Sequence, residues 1–152
     1  MSRQIVIRKG DPRSPGATAL LEASHTLMRA LFTPEENHFL SVDDLCADDM
    51  LFFVAELDNA IAGCAALALK TDYAEVKSMF VDPAKRGAKL GKKLLDQLEI
   101  ETRNRNLPVL RLETGDSLTA ARKLYQAQGF APRGPFGDYA ANKTSIFMEK
   151  RL

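Results

Sequence analysis

Residues 51 to 83 hold three apolar runs in close succession, and so much strand-like sequence in one place restricts the chain to folds built on a sheet. LFFVAEL (51–57) and AIAGCAALALK (60–70) flank Asp58-Asn59, a turn pair suited to a tight hairpin, although the alanines of the second run would also suit a helix. The third run, YAEVKSMFVDP (73–83), stops at Pro83, which has no N–H to give to a ladder. An antiparallel meander satisfies all three. Period-two alternation along the third run predicts Glu75, Lys77, Met79 and Val81 on one face and Val76, Ser78 and Phe80 on the other.

The flanking sequence supplies the layers such a sheet needs. QIVIRKG alternates like a short strand. From Ala17 to Phe32 the residues Leu20, Leu21, Leu27, Met28 and Leu31 recur at helical spacing. Thr33 before Pro34-Glu35-Glu36 reads as the cap of a second helix after a tight corner. Leu90, Leu94, Leu95 and Leu98 make the stripe of a surface helix over 89–106. VLRLET (109–114) reads as a strand, TAARKLYQAQGF (119–130) as a helix closed by Gly129, and SIFMEKRL (145–152) as a last strand. The order βαα–βββ–αβ–αβ predicts one mixed α/β domain over residues 1–152, without internal repeats or linker tracts.

Composition removes several classes of function. Hydrophobic residues at 45% and charged residues at 27% are ordinary for a folded globular chain. A net charge of +1 is too small for a protein that coats nucleic acid, so any basic site must be local. Cys46 and Cys64 lie in apolar or helical stretches without CxxC spacing and read as buried thiols in a reducing compartment. No run approaches the ~18 apolar residues of a membrane span, and the start lacks a signal-type core; a cytoplasmic protein without membrane contact is expected. No side chains recur at metal-ligand spacing, and no metal is expected.

The chemistry concentrates behind the third apolar run, at KRGAKLGKKLLDQLE (85–99). A strand that passes through a glycine-containing turn into a helix aims several unpaired N–H groups and the positive helix end at one point, which suits a phosphate. Gly87 and Gly91 enclose three residues, and Lys93 stands where a nucleoside-triphosphate loop needs Ser or Thr. The G-x-G-x-x-G spacing of dinucleotide binders is missing too.

The pattern that does match is Arg86-Gly87-Ala88-Lys89-Leu90-Gly91 after Phe-Val-Asp-Pro, with Ala121-Arg-Lys-Leu-Tyr125-Gln-Ala-Gln-Gly129-Phe130 one strand further on. Together these resemble the GCN5-related N-acetyltransferase family. The resemblance implies a central sheet of about seven strands, mostly antiparallel, flanked by about four helices and splayed between 73–82 and 109–114. It implies acetyl-CoA as co-substrate in that gap, with its pyrophosphate on residues Arg86, Gly87, Ala88, Lys89, Leu90, Gly91 and Lys92. Met79, Phe80 and Val81 would bind the pantetheine arm, the Met79 N–H would polarise the acetyl carbonyl, and Tyr125 would protonate the leaving thiolate. Two positions depart from the family. Lys89 stands where glycine is usual, and Leu118 stands where relatives often carry asparagine, leaving Ser117 or Thr119 to make that contact.

Glu75 falls where some relatives carry a general base; the other reading is a solvated carboxylate pairing with Lys77. His25, Arg29, His38 and Arg111 are the candidates for acceptor binding, and the two arginines hint at an amine that also bears a carboxylate. Arg111 and Glu113 share a strand face and are expected to pair, and Gly134-Pro-Phe-Gly-Asp-Tyr139 reads as a lid or a core-capping loop. The expected activity is N-acetylation of a small-molecule amine by direct attack in a ternary complex; the alternative is a CoA-binding sensor without turnover. A homodimer through sheet edges fits the resemblance, and nucleic acid is not an expected partner.

Overall fold

The computed structural model describes residues 3–152, so the first two residues of the expected domain lie outside it. One seven-stranded sheet runs through it, built from β1 (Ile5–Lys9), β2 (Met50–Leu57), β3 (Ala60–Leu69), β4 (Ala74–Val81), β5 (Val109–Gly115), β6 (Ala131–Arg133) and β7 (Ser145–Arg151). Their order is β1-β2-β3-β4-β5-β7-β6, antiparallel except for the β4–β5 pair. The hairpin closes through Asp58 and Asn59, both in the left-handed region at φ 51° and 71°, as the turn chemistry predicts.

The two faces of the meander bury different partners. Phe52, Val54, Cys64 and Ala66 pack under Ala17, Leu20 and Leu21 of α1 (Pro15–Leu31) and Leu45 of α2 (Val42–Leu45). Phe53, Ala55, Leu67, Val76, Leu110 and Leu112 pack against Leu90, Leu94, Leu95 and Leu98 of α3 (Leu90–Asn104). Tyr125 of α4 (Thr119–Ala127) joins this second cluster. Alanine-rich β3 is therefore a central strand: small side chains let helices approach both faces, and pairing on both edges overrides its helical propensity.

Three expectations change. Thr33 does cap, but its capping box with Glu36 closes only the 3-10 turn Pro34–Glu36, and no helix grows until the four residues of α2. The short strand β6 is absent from the sequence reading; Pro132 and its three-residue length hide it. The face assignment along 73–83 fails after Lys77, because Ala66 pairs with Lys77 whereas Cys64 pairs with Phe80. Three residues of β4 thus span two of β3. The extra residue is a bulge at Ser78 with φ 51°, and it inverts the alternation. Met79 and Val81 consequently pack with Val76 on the α3 side, and Phe80 with the α1 side.

Gly115, at the end of β5, lies directly under Phe32, and a Cβ there would overlap the ring. Gly115→Ala should lower unfolding stability by about 1–3 kcal/mol through overpacking, read from urea denaturation; a midpoint equal to wild type would show that the ring moves freely.

Candidate functional site

The site begins where β4 leaves its neighbours. The parallel ladder to β5 covers only Ala74–Val76 opposite Leu110–Leu112, and Ser78 and Met79 have no register partner on β3. Past Val76 the two strands diverge. The gap continues as a groove of about 690 Å³, with Met79, Phe80 and Val81 on one wall and Leu118, Ala121 and Leu124 on the other.

The 85–92 segment forms the groove's mouth. Asp82 Oδ1 accepts the Ala84 N–H at 2.9 Å, turning the chain sharply off the strand. Gly87 sits at φ 94° with open space where a Cβ would be. Lys89 adopts φ 60°, ψ 31°, the left-handed conformation that glycine favours, which gives the physical reason for glycine in the matching pattern. The first bond of α3 here is from the Lys93 N–H to the Lys89 carbonyl at 3.1 Å, so the N–H groups of the preceding turn are left to face outward with the helix dipole. Gly91 also serves packing: a Cβ would stand 2.8 Å from Leu124 of α4. Arg86, Gly87, Lys89, Leu90, Gly91, Lys92 and Ser117 all line the groove, while Ala88 packs toward the core instead.

At its inner end the groove meets a smaller cavity of about 120 Å³, the two sharing Met28, Met79, Leu118 and Ala121. Tyr125 lines this cavity, 5% exposed. Burial, with the nearby Glu113 carboxylate adding to it, pushes its phenol well above the ordinary range, so the hydroxyl keeps its proton. Glu113 lines the same cavity and receives a 2.8 Å hydrogen bond from Ser145 Oγ, and burial raises its carboxyl as well. Nε2 of His38 and Oγ of Ser78 are buried and have no hydrogen-bond partner among the described residues.

On its far side the cavity shares His38, Phe39 and Lys77 with a wide cleft of about 990 Å³. Glu75 lines this cleft, yet it is only 5% exposed, so the solvated reading does not hold. Tyr139 Oη donates to Glu75 Oε2 at 2.5 Å, and Lys77 Nζ donates to Tyr139 Oη at 2.8 Å and to the His38 carbonyl at 3.0 Å. Lys77 Nζ also lies 3.6 Å from the carboxylate. Burial and the Glu75 charge push the Tyr139 hydroxyl far up, fixing it as the donor. The 134–144 loop is thus anchored by its tyrosine to the strand that carries the bulge.

The remaining candidates separate. His25 stacks on Phe39 with centroids 4.2 Å apart, and Arg29 lies 5.4 Å over the same ring; burial and the Arg29 charge push His25 down. His38 meets Tyr139 edge-on at 5.0 Å. Arg111 does not pair with Glu113: its Nε contacts Glu149 at 3.1 Å and its guanidinium covers Tyr73 at 4.5 Å. Neither Arg29 nor Arg111 lines the groove, the cavity or the cleft, so the hint of a carboxylate-bearing acceptor loses its two arginines. Sequence reasoning missed Phe32, Phe39 and Leu118 as lining residues, since an apolar side chain on an amphipathic helix reads as core. Among the described residues there is no cluster of three His, Cys, Asp or Glu side chains fit for a metal, and no helix long and apolar enough to cross a membrane.

A model of the acetyltransferase (GNAT) family matches residues 19–130. An IAA acetyltransferase of Azospirillum brasilense is 39% identical over 150 residues, covering 97% of this chain and 98% of the relative. A solved structure described as an acyl-CoA N-acyltransferase of Klebsiella pneumoniae subsp. pneumoniae aligns with TM-score 0.82 at 31% identity over 97% of each chain. Another, described as a streptothricin acetyltransferase of Bacillus anthracis in complex with acetyl coenzyme A, aligns with TM-score 0.64 at 26% identity, over 74% of this chain and 69% of that one.

The buried Glu113 carboxyl sets a pH response. Its raised folded value means that its contribution to stability is complete below the ordinary carboxylate range and lost as pH rises through that raised value. Glu113→Gln should therefore raise the Tm at about pH 7, with the gain vanishing near pH ~4; a gain that did not change with pH would contradict the assignment.

Proposed function

The chain belongs to the acetyltransferase (GNAT) family and is an acetyl-CoA-dependent N-acetyltransferase, and from that premise we propose that it passes the acetyl group directly to the amine of a small molecule within a ternary complex. The observation that carries this reading is the meeting of groove and cleft at one small cavity lined by Met79 and Tyr125. Donor and acceptor can then approach from opposite sides, and alignment of this kind supplies roughly 7–11 kcal/mol of the barrier reduction.

The residues at the mouth fit coenzyme A. Outward N–H groups at the start of α3, the open position at Gly87 and the cations Arg86, Lys89 and Lys92 suit a pyrophosphate. Bound there, the cofactor supplies an activated acetyl thioester. Met79 N–H, freed from the β3 register by the bulge, donates to the carbonyl oxygen as negative charge builds on it. Tyr125, kept protonated by burial, gives its proton to the departing sulfur. Phe80 and Val81 hold the arm, and Ser117 takes the contact that Leu118 cannot make.

The acceptor reaches the cavity past His38 and Lys77. Glu35, Asp44, Asp49 and Asp138 line the cleft against Lys70, a balance that favours an acceptor arriving as an ammonium ion. Glu75 takes up the acceptor's proton through water, while Tyr139 and Lys77 hold its carboxylate in place. Neither cysteine enters the reaction: Cys64 is buried and its thiol is pushed up to about 12 by burial, so it is no nucleophile at neutral pH.

A panel of primary amines assayed for thiol release, with calorimetry of acetyl-CoA alongside, tests the reading. Tyr125→Phe should lower kcat by roughly 10²–10⁴-fold with acetyl-CoA affinity within about twofold of wild type. Undiminished turnover in that variant would remove the tyrosine from the reaction.

A further inference from the structure

The small cavity is larger than an acetyl group requires, and its walls divide by chemistry. About 10–15 Å³ of such space holds one water, and this cavity offers about 120 Å³. Lys77, His38, Ser78 and Glu113 make its polar side, which opens toward the acceptor cleft. Met28, Phe32, Leu118 and Ala121 make the opposite side, which is apolar. A thioester carbonyl at Met79 would send its alkyl chain along the apolar side, away from the amine.

Phe32 is fixed in a way that the core alone does not require. It follows the last turn of α1, where its N–H bonds the Met28 carbonyl at 3.0 Å. Asn37 Nδ2 braces the same corner, donating to the carbonyls of Met28 and Phe32, each at 3.3 Å. The ring then rests on Gly115, whose missing Cβ is the space the ring occupies. Backbone, brace and glycine together set where the apolar side ends.

We propose that this cavity is an acyl pocket that takes donor chains longer than acetyl, up to about four carbons, and that Phe32 is the end wall that sets the limit. This rests on the acetyl-CoA reading above, and it names the donor class rather than the acceptor. Each further methylene removed from water gains about fourfold in affinity when fully buried; a chain that reaches the phenyl ring can go no further without displacing it.

The test needs no acceptor. Calorimetry compares CoA, acetyl-CoA, propionyl-CoA, butyryl-CoA and octanoyl-CoA on the wild-type protein. Butyryl-CoA should bind roughly four- to tenfold tighter than acetyl-CoA, and octanoyl-CoA more weakly than butyryl-CoA. In Phe32→Ala the octanoyl-to-butyryl affinity ratio should rise at least about tenfold, the wall having lost several carbons. Phe32→Leu should move the ratio in the same direction by less, and covers the case in which the alanine variant does not fold. Butyryl-CoA binding no tighter than acetyl-CoA in the wild type would overturn the pocket, and an unchanged ratio in a folded Phe32 variant would overturn the wall. Failure of CoA itself to bind would instead overturn the acetyl-CoA reading on which the proposal stands.

Discussion

A strand inside a sheet hydrogen-bonds on both edges, and β4 does so for only its first three residues. There it is held by β3 on one side and β5 on the other. Beyond Val76 the parallel partner turns away, and within two residues the bulge at Ser78 interrupts the antiparallel ladder as well. Buried backbone groups need partners, so a strand released from both ladders at once is stable only next to something that can take its N–H and C=O groups. The groove lies along that stretch. Burial of the rest of the strand between the α1 and α3 layers holds the irregular segment in place, and the positive φ at Ser78 is tolerated because the ladder resumes at Phe80.

The same bulge separates two chemical environments along one strand. Before it, Glu75 and Lys77 face the acceptor cleft and bind each other through Tyr139. After it, Met79 turns to the α3 side and lines both groove and cavity. Regular alternation would have put Met79 on the face of the Glu75–Lys77 pair. The inverted register instead gives the apolar thioester end and the charged acceptor end separate surroundings about one bulge apart. Because Glu75, Lys77 and Tyr139 satisfy one another, two ionisable groups are kept in a largely water-poor site at tolerable cost.

Much of this was legible in the sequence, and the part that was not has identifiable causes. The Asp58-Asn59 hairpin, the leucine stripe of α3 and the glycine loop before it each rest on local chemistry, and each formed as local chemistry dictates. The bulge left no trace, since a serine in the middle of a strand is an ordinary residue and only pairing with β3 reveals the extra position. Thr33-Pro34-Glu35-Glu36 is a genuine capping signal, but a cap starts a turn without guaranteeing the turns after it. Arg111 chose Glu149 over Glu113 because β7 pairs beside β5, a fact of topology and not of spacing. Lys89 is the converse case: the family pattern marks the position as unusual, and the backbone shows that what is unusual is its left-handed conformation.

The central claim is that the bulge presents the Met79 N–H to the donor's carbonyl. Its most direct test is the ¹⁵N–¹H shift of Met79 in the wild-type protein titrated in parallel with acetyl-CoA and with CoA. The account predicts a displacement of the Met79 amide that is substantially larger with acetyl-CoA, while the amides of residues 87–92 move alike with both ligands because the pyrophosphate is common to them. A Met79 amide that responds equally to the two, or not at all while residues 87–92 respond, would contradict it.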